Sequence, residues 1–146
     1  VRVVDTRTAL GTTPMTPAST HAVTVPGSVA TFNTAALAAN ITAVRPTSST
    51  YLTLWPAIAG ISRPPVSNIN PKAGSTVANG ALVSVGTNQA VNVYNSSGTT
   101  NFLLDVAGTF ENFPAIPPPP KTGPGAAPME RPGVTGFGTG PATPSS

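Results

Sequence analysis

Short runs in which apolar and polar residues alternate recur through the first 111 residues, separated by Gly, Pro, Asn and Ser at spacings of about ten residues. Alternation with period two sends successive side chains to opposite faces, so each run predicts a half-buried strand. Val1 and Val3 alternate with Arg2, and Val23 and Val25 with Thr24. Leu37, Ala39, Ile41 and Ala43 share one face, with Asn40 and Thr42 on the other. Leu52 and Leu54 oppose Tyr51, Thr53 and Trp55. Ala81, Val83 and Val85 make another face, and beyond Gly86-Thr87-Asn88 the residues Val91 and Val93 alternate with Asn92 and Tyr94. The last run sets Phe102, Leu104, Val106 and Phe110 against Leu103, Asp105 and Thr109.

The punctuation between runs supports the same reading. Asn95-Ser96-Ser97-Gly98 predicts a hairpin turn between the last two strands, because Asn and Gly tolerate positive φ. Residues 46–49 do similar duty between the third and fourth strands. The Ala-rich stretch 31–40 has helical propensity, but alternation over 37–44 fits better, and no long segment combines helical spacing with a cap. The pattern predicts an all-β fold, an antiparallel β-sandwich of jelly-roll or immunoglobulin-like type, with no helix longer than about two turns. Its central core should hold Ile41, Val83, Val91, Val93, Phe102, Leu104 and Val106.

The sandwich is expected over residues 1–111 and a different kind of chain over 112–146, where ten of the eighteen prolines fall, including the run 117–120. With few large apolar residues, that segment cannot by itself offset the entropy of ordering. It reads as an extended Pro/Gly-rich tail whose sparse anchors, Phe113, Ile116, Met129 and Phe137, seek apolar sites on a neighbouring subunit.

Charged residues make up only 8% of the chain, so Ser, Thr and Asn must supply its polar surface. The seven basic residues are scattered and the net charge of +3 reflects few acids, which argues against nucleic acid as a partner. There is no cysteine, and no apolar run approaches the roughly 18 residues of a membrane span. The chain opens inside a strand without Met, which reads as a processed or partial chain.

Candidate chemistry is sparse. The carboxylates are Asp5, Asp105, Glu111 and Glu130, and Asp5 and Asp105 lie near strand ends where an acid pair could in principle form. The simpler reading gives Asp5 backbone hydrogen bonds in the turn after the first strand, or an Arg partner. His21 is the one imidazole and sits among Thr residues with no nucleophile-elbow sequence nearby. One His without Cys cannot close a zinc site, no Asp-rich loop suits calcium, and no Gly-rich phosphate loop follows a strand. The expectation is therefore no enzyme, no cofactor and no metal. Among the aromatics, Trp55 reads as a core filler, whereas Tyr51 and Tyr94 are candidates for contact with a glycan or a protein partner.

Several segments follow one another in a suggestive order: Arg2-Val-Val-Asp5-Thr6-Arg7, Ala39-Asn40-Ile41-Thr42-Ala43, Tyr51-Leu-Thr-Leu-Trp55-Pro56, Ser67-Asn68-Ile69-Asn70 and Thr76-Val77-Ala78-Asn79. Val91-Asn-Val-Tyr94-Asn95-Ser96-Ser97-Gly98 and Leu104-Asp105-Val106-Ala107-Gly108-Thr109-Phe110 complete the series. Over residues 1–111 it resembles a β-rich domain common in secreted and surface proteins of actinobacteria, whose viruses encode many surface-protein domains. The resemblance implies an extracellular, non-catalytic accessory or structural role and supplies no ligand residues. The resulting expectation is a structural or attachment module of an extracellular assembly, at a cell surface, in a filament, or on a virion capsid or tail exterior. Its partners would be copies of itself or a neighbouring structural protein, and the alternative is a carbohydrate- or cell-wall-binding accessory module.

Overall fold

The computed structural model describes residues 1–112, and the tail anchors Phe113, Ile116, Met129 and Phe137 lie outside them. Seven strands follow in order: β1 (Arg2–Asp5), β2 (Ser19–Thr24), β3 (Thr34–Val44), β4 (Leu52–Pro56), β5 (Thr76–Ser84), β6 (Ala90–Asn95) and β7 (Asn101–Glu111). The helical content of the described residues is two single 3₁₀ turns, Thr6–Thr8 and Thr87–Gln89. The strands form two antiparallel sheets, β1-β7-β3-β5 and β2-β6-β4.

Consecutive strands always lie in opposite sheets, so every connection crosses the sandwich. This is the winding of a jelly roll with one edge strand of the smaller sheet reduced to a remnant. The remnant is the segment 66–70, which runs beside β4 and makes the isolated bridge Leu52↔Ile69. Leu52 N–H donates to Ile69 O (3.0 Å) and Leu52 O accepts from Asn68 N–H (2.8 Å). Asn68 Oδ1 then accepts from Leu54 N–H at 2.7 Å, and Thr53 Oγ1 donates to Val66 O at 2.7 Å. A side-chain amide thus stands in for the next ladder carbonyl and satisfies an edge that would otherwise expose its backbone.

The crossing winding corrects the turn assignments. Asn95-Ser96-Ser97-Gly98 joins β6 to β7 in different sheets, and residues 46–49 join β3 to β4, so neither is a hairpin. The local requirement for positive φ was nonetheless real: Gly98 has φ +61°. A Cβ there would collide with Ser48 Oγ and Thr47 Oγ1. Asn95 is fully buried and ties three connections together. Its Oδ1 accepts from Thr50 Oγ1 (2.7 Å), and its Nδ2 donates to Thr16 O (3.0 Å) and Gly98 O (2.8 Å). Turn chemistry therefore governs the local bend, while the choice of sheet is made by packing.

The core between the sheets contains all seven residues assigned to it from the alternation, joined by Val4, Met15, Val23, Leu37, Leu52 and Leu54 among others. Two bulges shift the phase. From Ala38 to Ala39 the β7 partner moves from Gly108 to Val106, so Ala107 is an extra residue on β7. Beyond it Phe110 pairs with Ala36 on the outer face and is 54% exposed, contrary to its expected place beside Phe102 and Leu104. On β1 the irregularity between Arg2 and Val4 lets both Val3 and Val4 be buried, while Val1 is exposed. Trp55 is buried as expected, but it shares the outward face of β4 with Thr53, away from Leu52 and Leu54. Its Nε1 has no acceptor among the described residues.

Candidate binding groove

The residues with chemical potential separate into those that bind the fold together and those that line a surface. Asp5 belongs to the first group. Its Oδ1 accepts from Arg7 N–H (3.1 Å) and Arg7 Nε (2.9 Å), and its Oδ2 from Arg7 Nη2 (2.8 Å). The Arg7 guanidinium holds the Asp5 carboxyl down at about 2, outweighing the desolvation that pushes it upward. Arg2 stands between the two aspartates, bidentate to Asp105 at 2.9 and 3.2 Å and 3.8 Å from Asp5. Asp5 and Asp105 are thus brought near one cation: Asp105 fastens β7 to β1 through Arg2, and Asp5 ties the end of β1 to the 3₁₀ turn that follows it. Glu111 accepts from Thr34 (2.8 Å) and Thr31 (3.3 Å) across the start of β3. Hydrogen bonds from Thr109, Thr34 and Thr31 lower its pKa. His21 Nδ1 lies 3.0 Å from Thr12 Oγ1 and approaches neither aspartate.

Tyr51, just before β4, and Tyr94 on β6 come together because β4 and β6 are paired. Register places Thr53 opposite Tyr94, and Tyr51, two residues before Thr53, has its ring centroid 5.9 Å from that of Tyr94 at an interplanar angle of 50°. A third side chain, absent from the sequence-based candidates, completes the cluster. Arg63 lays its guanidinium over Tyr94, with Cζ 3.7 Å from the ring centroid, in cation–π geometry. Arg63-Pro64-Pro65 lies in the long connection after β4, where no alternation marks a residue as inward or outward. The pairing of a basic residue with two prolines was the available signal.

Around this cluster opens a groove of about 430 Å³ lined by Tyr51, Arg63, Pro64, Pro65, Val66, Ser67 and Asn70. The prolines restrict the backbone of one wall, and the segment 66–70 is anchored to the edge of β4 by the bonds described above. One face of Tyr94 is occupied by Arg63, so Tyr51 is the aromatic that a ligand would meet. Ser67 Oγ donates to Asn70 Oδ1 at 3.0 Å, and Arg63 has no carboxylate partner among the described residues. The groove therefore offers an apolar wall, an aromatic surface, an amide and an unneutralised cation. That combination suits an extended ligand with apolar faces and hydrogen-bond acceptors, such as a peptide segment or a glycan.

No family model matches the chain, and no curated protein or solved structure matches it. Among the described residues, no helix is long and apolar enough to cross a membrane.

Proposed function

We propose that this chain is a non-enzymatic structural or attachment module of an extracellular assembly, a cell-surface layer, a filament or a virion exterior. The observation that carries the reading is the groove beside Tyr51, built on the outer face of the smaller sheet and lined mainly by apolar and uncharged groups. The three carboxylates among the described residues meanwhile serve in hydrogen bonds that join elements of the fold. In this reading the groove receives a neighbouring structural protein, and the chain's own Pro/Gly-rich tail docks on a neighbouring subunit. The test compares wild type with Tyr51→Ala and with a chain ending at residue 112, each measured for incorporation into the native particle or filament. Both changes should weaken incorporation and leave the thermal midpoint of the sandwich nearly unchanged. Full incorporation of both would refute the reading.

The second reading is a carbohydrate- or cell-wall-binding accessory module, favoured by the conjunction of Tyr51 with the polar pair Ser67 and Asn70. Retention of the purified chain on insoluble cell-wall polysaccharide, lost in Tyr51→Ala, would select it over the first.

A further inference from the structure

The larger sheet ends in β5, which pairs with β3 on one side and has no strand on the other among the described residues. Flanking bonds Val85 N–H to Ala35 O (3.0 Å) and Arg45 N–H to Ser75 O (2.9 Å) set the ladder's phase. In an antiparallel pair the bonded positions alternate, so the odd-numbered residues of β5 bond to β3. Thr76, Ala78, Gly80, Leu82 and Ser84 therefore turn their N–H and C=O groups outward along nine residues of free edge. Such edges are ordinarily blunted by charge, proline or a bulge. Residues 76–84 contain no charge and no proline, and their register with β3 is unbroken. The other edge nearby, β4, is capped by Asn68, so the same fold shows what a protected edge looks like.

The sequence of β5 is also close to self-complementary about its centre. With Gly80 opposite itself, Ala78 meets Leu82 and Thr76 meets Ser84 on the outer face, while Val77 meets Val83 on the inner. The outer pairings are small against apolar and hydroxyl against hydroxyl, the inner ones are Val against Val and Asn79 against Ala81, and none opposes like charges. Leu82 is 70% exposed on that outer face, and Phe110 is exposed two strands away. A two-fold axis requires this kind of self-matching, because each copy presents the same patch.

We propose that β5 is a homotypic docking edge: two copies join β5 to β5 antiparallel about a two-fold axis at Gly80, fusing their larger sheets into one. Gly80, Ala78 and Leu82 exchange backbone bonds with Gly80, Leu82 and Ala78 of the second copy. The proposal rests on the assembly reading to the extent that it names a second copy as partner, and it does not involve the Tyr51 groove.

The full chain is examined by sedimentation velocity over a concentration series, as wild type and as Gly80→Lys. A Cβ at Gly80 meets nothing within 4 Å and its φ is ordinary, so the monomer accommodates the lysine. In the dimer two like charges would face each other across the axis, and the dissociation constant should rise by about tenfold or more. Ala78→Lys alone should also weaken the dimer, and Ala78→Lys combined with Leu82→Glu should restore it, because those positions face each other in this register alone. A wild-type chain that stays monomeric, a dimer indifferent to Gly80→Lys, or failure of the double variant to recover would overturn the proposal. None of these results bears on incorporation of Tyr51→Ala, so the two readings fail separately.

Discussion

Replacing Leu104 by Ala removes three carbons from the middle of β7, where Leu104 is fully buried and paired with Val4 on one side and Ile41 on the other. At about 0.8 kcal/mol per buried carbon group the lost transfer energy is roughly 2.4 kcal/mol. Flanked on both sides by hydrogen-bonded strands, the site cannot collapse far. If about 40 Å³ stays empty, the cavity adds roughly 1 kcal/mol at ~24 cal/mol per Å³. The expected loss is therefore about 3–4 kcal/mol, a large share of the 5–15 kcal/mol that holds a typical domain folded. Leu82→Ala is the matched control: the same atoms leave an exposed site, and the change should stay within about 0.5 kcal/mol in dilute monomer. Urea denaturation followed by tryptophan fluorescence measures both, with equal slopes confirming that midpoint shifts report stability. Equal costs for the two variants, or a Leu104→Ala cost under about 0.5 kcal/mol, would show that the assigned faces of β7 and β5 are wrong.

Three other outcomes follow from particular contacts. Gly98→Ala should cost about 2 kcal/mol or more by denaturation, since it combines positive φ with collision against Thr47 and Ser48. Asp5 is depressed to about 2 in the fold against ~3.9 unfolded, so its contribution is complete above about pH 4 and is lost as the pH falls toward 2. Asp5→Asn should flatten that part of the stability–pH curve, and an unchanged acid limb would contradict the Arg7 pairing. Trp55→Phe removes a buried donor that lacks an acceptor among the described residues, so it should stay within about 1 kcal/mol of wild type, whereas Trp55→Ala should cost about 3–5.

What the sequence disclosed follows the reach of each signal. Alternation is a backbone property, so Leu37, Ala39, Ile41 and Ala43 could be assigned to one face without knowing the partner strands. Phe110 was misplaced because the bulge at Ala107 depends on pairing with β3, and a single extra residue inverts every position beyond it. The bend at Gly98 was legible from its φ requirement, but its role as a crossing between sheets was not, since that depends on Thr47, Thr50 and Thr16 from distant connections. Strand phase marked Tyr51 and Tyr94 as candidate contact residues, but their meeting depends on the pairing of β4 with β6, which phase does not disclose. Arg63 was not marked, because its position over Tyr94 arises from the irregular path after β4, where periodicity carries no information.

The crossing topology also has a kinetic consequence. Since no strand pairs with its neighbour in sequence, there is no hairpin to nucleate on, and every ladder must close a long loop first. High contact order of this kind places folding in the range of about milliseconds to seconds. The last strand of the sandwich lies between β1 and β3, so the larger sheet is split until residue 111 has been synthesised. A ribosome-bound chain short of that point holds β1 and the inner edge of β3 unpaired. The domain is thus built to fold as a unit once β7 has left the ribosome, and until then its nascent form must be kept from pairing with other chains.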